Sequence, residues 1–242
     1  MKVIHIAGFS NSGKTTFIST LLPELERLGP VAVVKHIGHH GYSLAEGKDT
    51  TLFSEAGAKA SVGIDAHKSV MILQENQLES ILEMLCDSGA QYAVVEGFKE
   101  KPYPKVVIGN VPGARNVILQ DPSVEDVLGH LGKFDDLFTP EGLSKEIQKG
   151  CAPGMTTLVF SMAILGNILN EQINELKGKL DEKIRGRGDI SVRIECSGNT
   201  NTQPQKLVIA LCSSNPLGAI EATSVATETI LLLINRQQGM IL

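Results

Sequence analysis

The chain contains no tryptophan and few other aromatic residues, namely 3 tyrosines and 7 phenylalanines among 242 residues. Proteins that hold single-stranded nucleic acid usually stack its bases on aromatic side chains, and this sequence offers few of them. The net charge of −5 also argues against a basic field that would attract nucleic acid or an anionic lipid surface. We therefore expect neither nucleic acid nor a membrane among the partners.

Cysteine is also scarce. The four cysteines are Cys86, Cys151, Cys196 and Cys212, and no two of them form a Cys-x-x-Cys pair. This spacing argues against a zinc ribbon or a thioredoxin-type motif. We interpret the four residues as buried or unreactive thiols in a reducing compartment.

Long apolar runs are missing as well. The longest tracts, Leu158–Leu169 and Ile230–Ile234, fall short of the roughly 20 residues that a membrane-spanning helix needs. The first residues, Met1–Gly8, lack the longer apolar stretch and small-residue cleavage site of a signal peptide. These features predict a soluble, cytoplasmic protein.

The first 35 residues have the pattern of a strand, a helix and a second strand. Val3–Ala7 is a short apolar run before a glycine, which is typical of a buried strand. Lys14–Leu28 has apolar residues at helical spacing and is followed by Gly29-Pro30, so a helix is predicted there. Val31–Lys35 is rich in β-branched residues and predicts a strand parallel to the first.

The alternation continues to about residue 120. Helices are predicted over Asp49–Ala58 and Gln77–Ser88. Strands are predicted over Ser61–Ile64, Ser69–Leu73, Tyr92–Val95, Lys105–Ile108 and Asn116–Leu119. Such a pattern predicts an α/β fold in which helices cover both faces of a mostly parallel sheet.

The pattern changes between residues 139 and 154, where turn-rich segments flank a charged, helix-like stretch. We predict a domain over 1–138, a linker over 139–154 and a small α-β-β-α domain over 155–242. Its elements would be a long helix at Thr156–Arg185, strands at Ser191–Cys196 and Lys206–Cys212, and a final helix at Leu217–Arg236. Two strands bury little surface, so this unit is expected to pack on the first domain or pair with a copy of itself, and we interpret it as a dimerising or partner-binding unit.

Gly8 to Thr15 match the phosphate-loop pattern G-x-x-x-x-G-K-[ST] between a predicted strand and a predicted helix. The glycines let the backbone close around phosphate, and successive amide groups face its negative charge. Lys14 is expected to reach the β- and γ-phosphates, with Thr16 toward the α-phosphate. The phosphate-binding residues are therefore predicted to be Gly8, Ser10, Asn11, Ser12, Gly13, Lys14, Thr15 and Thr16. This strand–loop–helix arrangement predicts a P-loop nucleoside-triphosphate-binding domain.

Three residues are candidates for holding Mg²⁺. The hydroxyl of Thr15 is the first. Glu96, a carboxylate at the end of an apolar strand, is the second. Asp49 is the third, with a helix N-cap or first-turn carboxylate as the alternative. The alternative for Glu96 is a surface carboxylate at a strand end.

Lys35 and Lys99 end or follow buried strands at the edge of the sheet where ligands bind. Either lysine is a candidate contact to a phosphate of a nucleotide or cofactor. The alternative is a solvated surface lysine.

The phosphate loop is followed in order by several short motifs: Lys35-His36, His39-His40, Gly47-Lys48-Asp49-Thr50, Ala56-Gly57-Ala58, Val95-Glu96-Gly97-Phe98-Lys99 and Pro104-Lys105. Over about residues 1–110 the chain resembles the MobB family, the molybdopterin-guanine dinucleotide biosynthesis protein B. The resemblance implies a homodimer that binds GTP with Mg²⁺ and hydrolyses it slowly or not at all. It also implies partners, namely the guanylyltransferase that attaches GMP to molybdopterin, and molybdopterin itself or a molybdoenzyme. The last 90 or so residues lie outside the resemblance.

Two other functions remain open at this point. A small-molecule kinase would use the same loop, but it usually needs arginines over the phosphates, and only Arg27 and Arg115 precede Phe138. A metal-delivery GTPase would use His36, His39 and His40 as imidazole ligands.

Overall fold

The computed structural model describes residues 1–38, 47–164, 170–184, 190–197 and 205–237. In the first part of the chain the strands are β1 (Lys2–Gly8), β2 (Val31–Lys35), β3 (Ala60–Ile64), β4 (Ser69–Leu73), β5 (Tyr92–Glu96), β6 (Lys105–Ile108) and β7 (Val117–Gln120). The helices there are α1 (Lys14–Leu28), α2 (Asp49–Glu55), α3 (Leu78–Asp87) and α4 (Val124–Gly129), followed by a short 3-10 helix at Leu131–Lys133.

A five-stranded sheet forms the centre of this part, in the order β2-β5-β1-β6-β7. All four neighbouring pairs are parallel. Side chains alternate between the two faces of each strand. On one face Ile4, Ile6 and Val94 pack with residues of α1 and α4; on the other, Val3 and Ala93 pack with residues of α3. The predicted α/β fold with a parallel sheet covered on both faces is confirmed.

β3 and β4 form a separate antiparallel hairpin, with Val62 paired opposite Met71. Helix α2 packs on one face of this hairpin, where Ser54 and Ser61 are buried and Gly63 meets the methyl group of Thr50. The other face carries Val62, Ile64 and Met71, which are all exposed. The hairpin therefore presents an apolar face that no described residue covers.

The second part contains α5 (Pro140–Lys149), β8 (Thr156–Ile164), α6 (Asn170–Ile184), β9 (Ile190–Ser197), β10 (Gln205–Ser213) and α7 (Pro216–Gln237). The three strands form an antiparallel sheet in the order β8-β10-β9. Helices α6 and α7 pack on one face of it through Leu176, Leu180, Ala222, Ala226 and Ile230. The other face is covered by α5.

The long helix predicted over Thr156–Arg185 is wrong in its first part, because β8 occupies 156–164. β8 pairs with β10 along nine residues, from Thr156 opposite Ser213 to Ile164 opposite Gln205. A short apolar run does not distinguish a buried helix from a buried strand by its periodicity. The second unit therefore begins with a strand, giving three strands instead of the two in the predicted α-β-β-α arrangement.

Helix α5 falls inside the segment predicted as a linker. Thr139 caps its first turn by accepting a hydrogen bond from the amide of Gly142 at 3.0 Å. Leu143 is buried against Val208 and Ala210 of β10, and Ile147 packs beside it. The apolar side of α5 therefore belongs to the second sheet.

Two cysteines are paired in the structure. Cys151 and Cys212 form a disulfide, while Cys86 and Cys196 are free. Cys212 lies opposite Thr157 in the β8–β10 ladder. Strand pairing therefore places Cys212 near the start of β8, which lies a few residues after Cys151. The interpretation of all four cysteines as unreactive thiols is wrong for these two, because contacts across a sheet do not follow the spacing of residues along the sequence. Within the described residues, no helix combines the length and apolarity needed to cross a membrane.

Candidate phosphate-binding site

The phosphate loop runs from the end of β1 to the start of α1. Gly8 is buried, and a Cβ there would lie 2.6 Å from both the carbonyl oxygen of Ile108 and Oγ of Ser12. Asn11 and Gly13 have positive φ angles of 60° and 90°, in the left-handed region that glycine adopts at low cost. The loop therefore closes tightly, and a side chain at Gly8 would collide with the carbonyl of the last residue of β6.

The interior of the loop carries a polar atom suited to an anion. Oγ of Ser12 is buried and has no hydrogen-bond partner among the described residues. The loop also leads into α1, where Thr15 and Thr16 are exposed in the first turn. Helix N-termini favour negative charge through their free amide groups. The residues present therefore fit a phosphate group, and the exposed hydroxyl of Thr15 lies in the first turn of the helix that follows the loop.

Lys14 is almost fully buried, and its Nζ donates a hydrogen bond to the carbonyl oxygen of Phe9 at 2.6 Å. Burial lowers the pKa of Lys14, the carboxylate of Glu96 raises it, and Lys99 and Lys35 lower it. These three side chains are thus close enough to act on Lys14 electrostatically. The structure gathers three lysines and one carboxylate at a single edge of the sheet.

Glu96 ends β5, the strand beside β1, and is paired in register with Ile6. Its side chain is mostly buried, and Nζ of the half-exposed Lys35 lies 3.4 Å from its Oε2. The parallel sheet therefore brings Lys35, Glu96 and the phosphate loop to one edge. A carboxylate at this edge offers the oxygen ligands that Mg²⁺ prefers.

Lys99 follows β5 and reaches the phosphate loop from the side. Its Nζ lies 4.1 Å from the centre of the Phe9 ring, a cation–π contact. Because Phe9 is the second residue of the loop, this contact holds the ammonium group of Lys99 at the outer surface of the loop. Among the predicted residues outside the loop that the structure describes, Lys99 is the one with a cation–π contact to a loop residue.

For the other predicted residues, the described structure gives no contact with the phosphate loop. Asp49 is exposed and is the first residue of α2, a position where a carboxylate favours a helix N-terminus. His36 is exposed and stacks on Phe98 with ring centroids 4.3 Å apart. His39 and His40 lie outside the described residues. Among the residues that the structure describes, no three His, Cys, Asp or Glu side chains form a potential metal site.

Gly97 links Glu96 to this aromatic stack. Its φ is 95°, and a Cβ there would lie 2.6 Å from Cβ of His36. A side chain at this position would therefore separate β2 from β5 at the point where both strands end. The glycine of the Glu-Gly-Phe-Lys motif is needed for close approach as well as for its backbone angle.

Two buried basic residues below this edge were given no role from the sequence. His5 of β1 and Lys105 of β6 lie opposite each other in the sheet, and both are almost completely buried. Nε2 of His5 contacts the carbonyl oxygen of Gly97 at 2.5 Å. The available signal was a basic residue inside each of two short apolar strands, where a lysine is almost never fully buried unless it is paired.

His5 should make the stability depend on pH. Burial lowers its pKa to about 4; the Gly97 carbonyl acts in the opposite direction and Lys105 in the same one. Between pH 6.5 and 4 the unfolded chain binds a proton at His5 that the folded chain does not, so stability falls as the pH falls. A shift of this size corresponds to about 3 kcal/mol in the free energy of unfolding.

Urea unfolding at pH 7 and at pH 4 measures this loss. His5→Gln is the matched variant, because it keeps a donor for the Gly97 carbonyl and does not titrate. We expect the wild type to lose about 3 kcal/mol more than the variant between the two pH values. Equal losses would contradict the assignment to His5.

Comparison with known proteins places this site in a family. The family model for molybdopterin guanine dinucleotide synthesis protein B matches residues 3–129. A probable molybdopterin-guanine dinucleotide biosynthesis adapter protein from Bacillus subtilis is 37% identical over 110 residues, covering 44% of this chain and 64% of the relative. A putative adapter protein of the same description from Methanocaldococcus jannaschii is 36% identical over 112 residues, covering 45% of this chain and 47% of the relative.

The chain spans between about half and just under two thirds of the length of these relatives. A crystal structure of Bacillus subtilis MobB is similar with a TM-score of 0.44 and 25% identity, over 57% of this chain and 100% of that one. The matched range 3–129 contains all the predicted site residues and more than half of the chain. The chain therefore belongs to the family of molybdopterin guanine dinucleotide synthesis protein B.

Proposed function

We propose that this protein binds GTP with Mg²⁺ and serves as an accessory protein in the biosynthesis of molybdopterin guanine dinucleotide. It would assist the attachment of GMP to molybdopterin or the handover of the finished cofactor. One observation carries the proposal: Lys14, Lys35, Lys99 and Glu96 meet at the phosphate loop of a chain whose relatives are named as adapters in this biosynthesis.

Each residue has a distinct task in this proposal. The amides of the loop, with Oγ of Ser12, bind phosphate oxygens. Lys14 exchanges its hydrogen bond to the Phe9 carbonyl for the β- and γ-phosphates. Thr15 and Glu96 would hold Mg²⁺, whose charge would offset that of the phosphates. Lys35 and Lys99 add positive charge at the rim, and Asp49 remains a candidate for contact with the metal or its water.

The preference for GTP over ATP rests on the family, since the relatives' names refer to a guanine dinucleotide. The proposed partners follow from the same names: a molybdopterin guanylyltransferase, and molybdopterin or the molybdoenzyme that receives the cofactor. We place the protein in the cytoplasm, where these partners would meet it, and propose no nucleic-acid or membrane partner.

A slow switch fits the site better than a fast kinase. Kinases usually place arginines over the transferred phosphoryl group and position a base for the acceptor. Of the two arginines before Phe138, Arg27 is in the last turn of α1 and pairs with Glu24. It therefore lies at the end of α1 opposite the phosphate loop.

Nucleotide binding and turnover test the proposal together. We expect tight binding of GTP·Mg²⁺, weaker binding of ATP·Mg²⁺, and hydrolysis slower than about one per minute, whereas kinases turn over about 1–100 times per second. Rapid ATP-dependent phosphorylation of a small acceptor would overturn the accessory function. Nickel- or zinc-dependent GTP turnover that is lost in His36→Ala would favour metal delivery instead.

We also propose that the protein forms a homodimer through the exposed face of the β3–β4 hairpin. A two-stranded sheet is marginally stable by itself, and contiguous exposed apolar surface often marks an association site. Ile64, the most exposed of the three apolar residues, is 79% exposed. A second copy offers a matching apolar face and would convert two weak hairpins into one covered unit.

Met71→Lys should raise the dimer dissociation constant at least about tenfold, because it buries an unpaired charge in the interface. Sedimentation velocity at several concentrations measures the change. Val117→Lys is the control, since Val117 is an exposed apolar residue on the edge strand β7. A wild type that is monomeric at high micromolar concentration, or equal effects of both variants, would contradict this interface.

A further inference from the structure

We propose that Lys105 is a positioning residue for nucleotide binding, which acts by holding the backbone that carries Lys99. The inference rests on the proposed function, because Lys99 is taken to contact nucleotide phosphate. Lys105 itself is 2% exposed and lies below the surface that a ligand reaches.

Lys105 holds two main-chain carbonyls of one short segment. Its Nζ donates hydrogen bonds to the carbonyl oxygens of Lys99 at 2.8 Å and of Lys101 at 2.9 Å. Burial lowers the pKa of this amine, and Glu100 acts in the opposite direction. A buried lysine is costly unless its donors are paired, and here the partners are both main-chain oxygens of one short segment.

That segment, residues 97–101, has an irregular backbone. Gly97 and Phe98 have φ angles of 95° and 44°, so the chain leaves the β5 ladder abruptly after Glu96. The amide of Gly97 still donates to the carbonyl of Ile6 at 3.1 Å, and the amide of Lys101 closes a turn on the carbonyl of Phe98 at 2.9 Å. The carbonyls of Gly97, Lys99 and Lys101 accept hydrogen bonds from side chains, which meets the need of main-chain oxygens in an irregular segment for donors.

Two neighbouring strands supply those donors from the same face of the sheet. His5 of β1 contacts the Gly97 carbonyl, and Lys105 of β6 donates to the carbonyls of Lys99 and Lys101. His5 and Lys105 are register partners in the sheet. Side chains from two neighbouring strands therefore hold the segment at three of its main-chain carbonyls.

The fixed segment positions one functional side chain at the loop. The Lys99 side chain leaves the backbone between the anchored carbonyls of Gly97 and Lys99 and places its Nζ over the ring of Phe9. Without Lys105, two carbonyls would lose their donors, and the backbone of Lys99 would gain freedom that binding must then remove. The loss of affinity should therefore depend on Lys99 being present.

A double-mutant cycle on GTP·Mg²⁺ affinity tests this dependence. Calorimetry on the full chain would compare the wild type, Lys99→Ala, Lys105→Met and the double variant. We expect Lys99→Ala and Lys105→Met each to weaken binding roughly tenfold, as for loss of a charge-assisted hydrogen bond. In the Lys99→Ala background, Lys105→Met should change the affinity less than about twofold, because the side chain that Lys105 positions is already absent.

Asn116→Gly is the matched control. The Asn116 side chain donates a hydrogen bond to the Pro102 carbonyl, in the same connection between β5 and β6, at 2.6 Å. Glycine can adopt the positive φ of 55° found at this position. We expect this variant to keep wild-type affinity within about twofold. If Lys105→Met does not fold, Lys105→Gln enters the same cycle, since it removes the charge and keeps one donor.

The outcomes separate the two proposals. Additive effects of Lys99→Ala and Lys105→Met, or an unchanged affinity in either single variant, would overturn the positioning role while GTP binding stands. A comparable loss in Asn116→Gly would also overturn it, because any loosening of the connection would then suffice. If the wild type binds no GTP although it is folded, the proposed function itself is wrong.

Discussion

Lys14→Ala is expected to weaken GTP·Mg²⁺ binding at least about a hundredfold while leaving the fold intact. The side chain supplies a positive charge inside the loop, and contacts of an ammonium group to two phosphates are charge-assisted and strong. It makes one hydrogen bond in the structure, to the carbonyl oxygen of Phe9. Its removal should therefore cost little in folding stability and much in binding.

Fluorescence titration with a labelled GTP analogue measures the affinity, and thermal unfolding measures the fold. Lys133→Ala is the control, because Lys133 is exposed at the opposite end of the sheet, beside the residue whose carbonyl accepts from Lys2. Affinity that persists in Lys14→Ala would show that nucleotide binds elsewhere. An equal loss in Lys133→Ala would point to a general charge effect.

Glu96→Gln is expected to weaken Mg²⁺-dependent binding of GTP about tenfold, with little change in binding when Mg²⁺ is absent. The substitution keeps the shape of the side chain and removes the charge that attracts the cation. The ion pair with Lys35 is also lost, but the lysine is 54% exposed, and such pairs contribute little.

Lys35→Met separates the two effects of the Glu96 substitution. It breaks the same ion pair and leaves the carboxylate in place. We expect it to weaken binding by a similar factor with and without Mg²⁺, as for a residue that contacts phosphate. If Glu96→Gln also acts equally under both conditions, Glu96 is not a metal ligand.

Much of the first part was predictable because local signals there agree with the tertiary structure. The bounds of α1, β2, β4 and β6 match the sequence-based expectations at both ends. Helix α1 has apolar residues at helical spacing, and the three strands are short apolar runs that lie between turn residues. The edge that holds Lys35, Glu96 and Lys99 follows directly, since parallel strands beside a phosphate loop present their carboxyl ends together.

The errors and omissions arise where contacts are distant in sequence. Thr156–Ile164 is apolar enough for a buried helix or strand, and only its pairing with β10 decides between them. His5 and Lys105 look like isolated basic residues until the sheet places them side by side under the segment 97–101. The Cys151–Cys212 pair likewise depends on the order of the second sheet.

Helix α5 has a consequence for how the chain is divided in experiments. Its apolar residues Leu143 and Ile147 pack on the second sheet, while its side-chain hydrogen bonds to the first part join Thr139 and Lys145 to Asp87 at the end of α3. A fragment that ends near residue 150 would carry a helix stripped of its apolar cover and prone to self-association. Cutting before Thr139 instead keeps α5 with the sheet that covers its apolar side, so that self-association of a fragment is not mistaken for recognition of a partner.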